Sequence, residues 1–164
     1  MTARGFLSLR SDQRGAAIIE LALAAPILAA IVIGMSDLAR GYSMKLMLEQ
    51  AAQRTIEQVE NQKSVASAYD TTVRTEATNA MTDAGYATGN TITPDSWAEC
   101  SSNGTTWTRT ASFTTDCTGS DISARYVKVT ISRKFAPMLR SRAWPGANSD
   151  GTITVSGSAE VRIQ

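Results

Sequence analysis

The sequence predicts an α+β fold, in which one long N-terminal helix packs on a small antiparallel sheet. Residues 16–35 form an apolar run with a single charged residue. A helical pattern of apolar residues continues this run to about residue 60. Alternating apolar and polar residues over 126–132 and 152–163 indicate strands, and a stretch rich in threonine and aromatic residues over 105–112 indicates a third.

The composition argues against most catalytic and nucleic-acid-binding classes. The chain has 164 residues and a net charge of +1, which gives no general case for binding nucleic acid. It has no histidine, so histidine metal sites and histidine-based catalytic triads are excluded. Two cysteines cannot form a four-cysteine zinc site. We therefore expect a protein that is not an enzyme and that has no metal, no cofactor and no small-molecule substrate.

Residues 1–15 form a basic leader, with Arg4, Arg10 and Arg14 against Asp12. Basic residues beside a membrane span remain on the cytoplasmic side. The N-terminus is therefore expected in the cytoplasm, with residues 36–164 exported across the membrane.

The apolar run over residues 16–35 is long enough to cross a bilayer. At about 1.5 Å per residue, about 20 helical residues cover the roughly 30 Å hydrocarbon core. Two alternatives are a buried core helix of a soluble protein and a cleaved secretory signal. The second needs a small-x-small site after the apolar stretch, and the Ala22-Leu23-Ala24 pattern lies inside it.

Glu20 and Pro26 are unusual in a plain membrane anchor. A charged side chain costs about 2.5–3.5 kcal/mol at mid-span on insertion scales, and a proline removes a helical hydrogen bond. An acidic residue within a membrane span is a candidate functional residue that needs a group to compensate its charge. The alternative is that the Glu20 carboxylate reaches water at the membrane edge.

Small residues recur at four-residue spacing along the same run, as Ala25 and Ala29 and as Ala30 and Gly34. Such spacing lets two helices approach closely. An alanine-rich apolar helix also produces these pairs by chance, so both readings stay open.

The string RGAAIIELALAAPILAAIVIG resembles the class III signal of type IV prepilins and, more closely, the TadE-like family of the tight-adherence (type IVc) pilus system. The matching positions are Gly15, Ala16, Ala17, Glu20, Ala22 and Pro26. The helical segment with Ala51, Ala52 and Arg54, and the final stretch GTITVSGSAEVRIQ, also resemble that family. Leu21 stands where many tight-adherence pilins have an aromatic residue, which favours a minor pilin or pseudopilin over a major pilin.

The resemblance implies a pilin-like fold and a structural role. A prepilin peptidase would cut between Gly15 and Ala16, and Glu20, one helical turn on, would neutralise the new amine or that of a neighbour. The implied partners are that peptidase, the inner membrane, and other pilins or pseudopilins of the same apparatus, with surface exposure after assembly. The alternative is an uncleaved single-span anchor whose exported domain binds an envelope or surface ligand.

The helix is predicted to continue over about 36–60 outside the membrane. An apolar stripe at helical spacing supports this prediction. The stripe packs either on the chain's own domain or on a coiled-coil partner. The stripe consists of Leu38, Tyr42, Leu48, Ala52, Ile56 and Val59. A second helical piece is possible around 64–83, ending at Asp83-Ala84-Gly85, and residues 135–151 are predicted to form a loop.

Cys100 and Cys117 are both in the exported part, where an even number of cysteines favours a disulfide. Two free thiols, which suit a cytosolic location, are the alternative.

The three tryptophans are either packing residues or a platform for a ligand. They are Trp97, Trp107 and Trp144.

The basic residues in the last third of the chain either contact anionic headgroups or form a solvated face. They are Arg133, Lys134, Arg140 and Arg142.

Overall fold

The computed structural model describes residues 13–62, 69–110, 113–114, 116–119, 121–142 and 144–163. The leader arginines Arg4 and Arg10 lie outside this part of the chain. The helices and strands are, in chain order, α1 (Gln13–Gln62), α2 (Tyr69–Asp83), β1 (Asn90–Ser101), β2 (Thr108–Arg109), β3 (Ile122–Phe135) and β4 (Ile153–Arg162). The strands form one antiparallel sheet in the order β2-β1-β3-β4. The α+β prediction is confirmed.

The chain divides into two compact units, Met1–Ala39 and Arg40–Gln164. The described part of the first unit is the N-terminal portion of α1, with Pro26 inside the helix. The second unit contains the rest of α1, α2 and the whole sheet.

The core of the second unit lies between the helices and one face of the sheet. Leu48, Ala52 and Val59 of α1 are fully buried. On β3 the odd-numbered residues Val127, Val129 and Ile131 are fully buried, which agrees with the alternation of the segment YVKVTI. From α2, Val73, Ala77 and Met81 complete the cluster.

The predicted stripe on α1 is buried only from Leu48 onward. Leu38 is 75% exposed and Tyr42 is 61% exposed, so the interpretation that the whole stripe packs on the domain was wrong for these two residues. Their side chains precede the section of α1 that faces the sheet.

The sheet contains a long strand, β1, that the sequence did not predict. Its residues lack clean alternation and include Pro94 and Asp95. β2 pairs only with Glu99 and Cys100, so the section of β1 around Pro94 has β3 on one side alone. Such an edge tolerates a residue without an N–H group.

The predicted strand over 105–112 is reduced to Thr108–Arg109 in the described residues. Residues 111–112 lie outside them. β3 extends well beyond the expected 126–132, and β4 occupies the segment 152–163 in which alternation had indicated a strand. α2 ends at Asp83, and Gly85 follows with φ +84°, which is typical of a helix C-terminal cap.

Candidate functional site

The predicted cleavage residues lie in the first turn of α1, which begins at Gln13. Gly15 is exposed, and a methyl group built on it would meet no atom of the described residues within 4 Å. The first backbone amides of a helix have no partner within the helix. The peptide bond after Gly15 therefore lies in the part of α1 that has the fewest backbone hydrogen bonds.

Glu20 is exposed and lies one helical turn after Ala16 on α1. Residues four apart in a helix stand about 5–6 Å from one another, within reach of a glutamate side chain. The spacing on α1 thus allows the carboxylate to reach the amine that cleavage would create.

The four small residues of α1 occupy two faces rather than one. At about 100° per residue, Ala25 and Ala29 lie about 40° apart, and Ala30 and Gly34 lie on a face about 140° away from them. Glu20 falls within about 60° of the Ala30 and Gly34 face.

The N-terminal portion of α1 carries a fully exposed apolar surface. Ile18, Leu23 and Val32 are each more than 60% exposed, and no residue of the most apolar window, whose mean hydropathy is 2.4, is buried. Among the described residues, α1 is the one helix whose length and composition are sufficient to cross a membrane. So large a contiguous apolar surface marks a helix that contacts lipid or other protein.

Cys100 and Cys117 form a disulfide, with their Cα atoms 5.6 Å apart. It joins β1 to the segment before β3. Arg125 of β3 holds the same segment by donating to the carbonyl of Phe113 at 3.1 Å and to Asp116 at 2.9 Å. This turn-rich part of the domain is therefore fixed covalently and by hydrogen bonds.

Trp97 is a packing residue rather than a ligand platform. It is 7% exposed, its ring stacks on Tyr126 at 5.4 Å, and the Arg109 guanidinium lies 4.2 Å from its centroid on the indole. Its Nε1 donates to Glu99 at 3.1 Å. Trp144, in contrast, is 47% exposed.

The predicted basic cluster does not act as one patch, because two of its members are engaged within the domain. Arg133 donates to the carbonyl of Thr88 and to Asn90. Lys134 pairs with Asp150 at 3.0 Å. The remaining two, Arg140 and Arg142, are exposed on the loop between β3 and β4.

Two features of the second unit escaped the sequence analysis. The first is a close approach of β4 to α1 at Gly157, for which the signal was a glycine inside an otherwise alternating strand. The second is a group of exposed apolar side chains, Met138, Leu139 and Trp144, on the loop between β3 and β4. The sequence predicted this segment only as a loop.

Residues 15–56 match the family model of the TadE-like protein. No curated protein and no solved structure matches the chain. The matched segment begins at Gly15, includes Glu20 and Pro26, and ends in the buried part of α1. The predicted resemblance to the TadE-like family is confirmed over this segment, which contains the apolar N-terminal portion of α1. That family is related to pilins and is structural rather than known as enzymatic.

Proposed function

We propose that the chain is a structural minor pilin or pseudopilin of a tight-adherence (type IVc) pilus assembly. In this proposal a prepilin peptidase removes residues 1–15, and the apolar portion of α1 holds the subunit first in the inner membrane and then in a filament. The observation that carries the proposal is that the family match begins at Gly15 and covers the N-terminal portion of α1, whose large apolar side chains are exposed.

The chemistry required of Glu20 is charge compensation. Cleavage after Gly15 creates an ammonium group on Ala16 at the edge of a medium of low dielectric constant, where an unpaired charge is costly. Glu20 neutralises this group in the same subunit before assembly. In a filament it pairs with the terminus of a neighbouring subunit, which sets the axial register between the two helices.

The faces of α1 support a specific arrangement of neighbouring helices. The Ala30 and Gly34 face allows close approach, and Glu20 lies about 60° around the helix from this face. In this proposal the same neighbour makes the helix contact and the charge pair. The Ala25 and Ala29 face is available to a second helix. A helix in the interior of a filament needs such a second contact, because it has neighbours on more than one side.

The exported domain supplies contacts with other pilins. Its disulfide suits an oxidising compartment, and the proposed location is periplasmic with surface exposure after assembly. The domain has no catalytic role in this proposal; the chain is a substrate of the peptidase.

The test is the intact mass and N-terminal sequence of the protein isolated from membranes with and without the prepilin peptidase. We expect a chain that begins at Ala16 only when the peptidase is present, and the same chain in sheared filaments. Gly15→Val should block cleavage because its branched Cβ prevents close approach of the peptide, whereas Gly34→Val, later in the same helix, should be cleaved normally. A leader retained in every case would contradict the proposal and favour the uncleaved anchor with a ligand-binding domain.

A further inference from the structure

The loop between β3 and β4 presents large apolar side chains to solvent. Met138 is 63% exposed, Leu139 is 42% exposed and Trp144 is 47% exposed. Arg140 and Arg142 are exposed between them. Exposed apolar and aromatic side chains grouped with basic ones on a single loop are typical of a surface that contacts a membrane or another molecule.

The loop is held in a defined conformation. Trp144 Nε1 donates to the carbonyl of Leu139 at 3.1 Å, and the amide of Ala147 donates to the carbonyl of Trp144 at 3.0 Å. The Cβ of Arg140 lies 3.3 Å from where a Cβ on Gly151 would be, so the first part of the loop packs against its last part. The apolar side chains are therefore kept outward by a folded loop, which reduces the entropy lost on binding.

The loop begins beside the first residues of the second unit. Phe135, at the end of β3, is buried, with its ring 3.6 Å from where a Cβ on Gly41 would be. The Arg40 guanidinium lies 5.6 Å from the centroid of the same ring.

We propose that Met138, Leu139 and Trp144 insert into the interface of the membrane that holds α1, while Arg140 and Arg142 contact its anionic phospholipid headgroups. The proposal rests on the proposed function only in that residues 16–35 span the bilayer. It adds a second membrane contact, made by the exported domain itself, which holds the subunit at the membrane surface before assembly.

The chemistry of the loop favours a lipid surface over a protein partner. Tryptophan is enriched at the membrane interface because its ring is apolar and its N–H is polar. Residues 136–149 contain two arginines and no acidic residue, so the loop is complementary to a negatively charged surface. The first acid after them, Asp150, already pairs with Lys134.

The test uses the full-length chain in lipid nanodiscs that contain phosphatidylglycerol and a phosphatidylcholine with a nitroxide near the top of its acyl chain. Tryptophan fluorescence is compared with that in unlabelled discs. We expect quenching that Trp144→Phe largely removes. Trp107→Phe is the matched control, because Trp107 is in the hairpin near Ile122, about 40 Å along β3 from Phe135.

Two further variants keep the tryptophan in place. The Met138→Ser, Leu139→Ser double variant should reduce quenching several-fold. The Arg140→Gln, Arg142→Gln double variant should reduce it in anionic discs to the value found in neutral discs.

Three results would overturn the proposal. If the chain is retained in the discs but Trp144→Phe leaves the quenching unchanged, the loop does not touch lipid, while the membrane span stands. If Trp144 instead becomes less accessible to solvent in lipid-free detergent as the protein concentration rises, the loop binds a second copy of the chain and not lipid. A chain that does not enter the discs would refute the span and this contact together.

Discussion

Gly157 of β4 lies against the backbone of Leu48 in α1 so closely that no side chain fits between them. A methyl group on Gly157 would overlap the carbonyl carbon of Leu48 and the amide of Glu49, and it would lie 2.7 Å from the Leu48 oxygen. Gly157 is paired with Ile131 in the sheet, so the strand cannot move away without breaking its ladder. This contact sets the distance between the helix and the sheet.

We expect Gly157→Ala to destabilise the domain strongly. Overpacking costs about 1–3 kcal/mol, and because the obstacle is backbone the cost here should be near 3 kcal/mol. Thermal unfolding of the detergent-solubilised full chain should show a Tm lower by about 10 °C. Ser156→Ala, at the neighbouring outward-facing position of β4, is the control and should leave the Tm nearly unchanged. An unaltered Tm for Gly157→Ala would mean that α1 sits further from β4.

Removing the disulfide should destabilise the same domain through the unfolded state. Cys100 and Cys117 are 17 residues apart, and the chain-entropy relation gives about 3 kcal/mol for a loop of this size. Cys100→Ser should therefore melt at a lower temperature than the oxidised wild type. The wild type treated with a reducing agent should melt together with the variant. Equal melting of the oxidised wild type and the variant would contradict a stabilising role.

Glu20 should matter for assembly and not for insertion. Glu20→Ala is expected to enter the membrane normally, because it removes a charge that opposes burial, and to be largely absent from sheared filaments. Glu20→Asp retains the carboxylate on a shorter side chain and should recover part of the incorporation. The measurement is the ratio of filament to membrane protein on an immunoblot. Normal incorporation of Glu20→Ala would remove charge pairing from the proposed mechanism.

The turn at Asp150 should make stability depend on pH in the acid range. The Asp150 carboxylate accepts hydrogen bonds from the hydroxyl of Thr152 at 2.6 Å and from its amide at 3.0 Å, and it pairs with Lys134. These contacts, led by the Thr152 hydroxyl, lower the pKa of Asp150 well below its ordinary value.

A lowered folded-state pKa stabilises the protein above the unfolded pKa, near 3.9, and this contribution is lost as the pH falls through the folded value. Asp150→Asn should therefore melt below the wild type at neutral pH, and the difference should shrink as the pH falls below about 4. Thr152→Ser, which keeps the hydroxyl, should behave like the wild type. A difference that is constant with pH would show that the loss is not electrostatic.

The helix and the inner face of the sheet could be predicted because their patterns are local. The alternation over residues 126–131 identified the buried residues Val127, Val129 and Ile131 without knowledge of what covers them. The burial of Leu48 and Val59 followed from helical spacing in the same way. Leu38 shares the same helical spacing and is nevertheless exposed, because periodicity shows which face a residue occupies and not where the partner surface begins.

β1 could not be predicted, because its position depends on pairing with β3, which lies further along the chain. Of the candidate site, the relation of Ala16 to Glu20 is local and could be read from sequence spacing. The relation of Gly157 to Leu48 and the position of the β3–β4 loop beside Gly41 depend on tertiary packing, which no spacing along the chain records.

The packing of α1 against β4 constrains the order in which the domain can form. The apolar stripe from Leu48 to Val59 is synthesised early, whereas the strands that cover it, β3 and β4, follow only after residues 122 and 153. Contacts between residues so distant in sequence carry a large loop-closure entropy and form slowly. The part of the stripe that meets the sheet therefore stays uncovered until nearly the whole chain has emerged, so a chain that stalls before β4 exposes this apolar surface to chaperones and proteases.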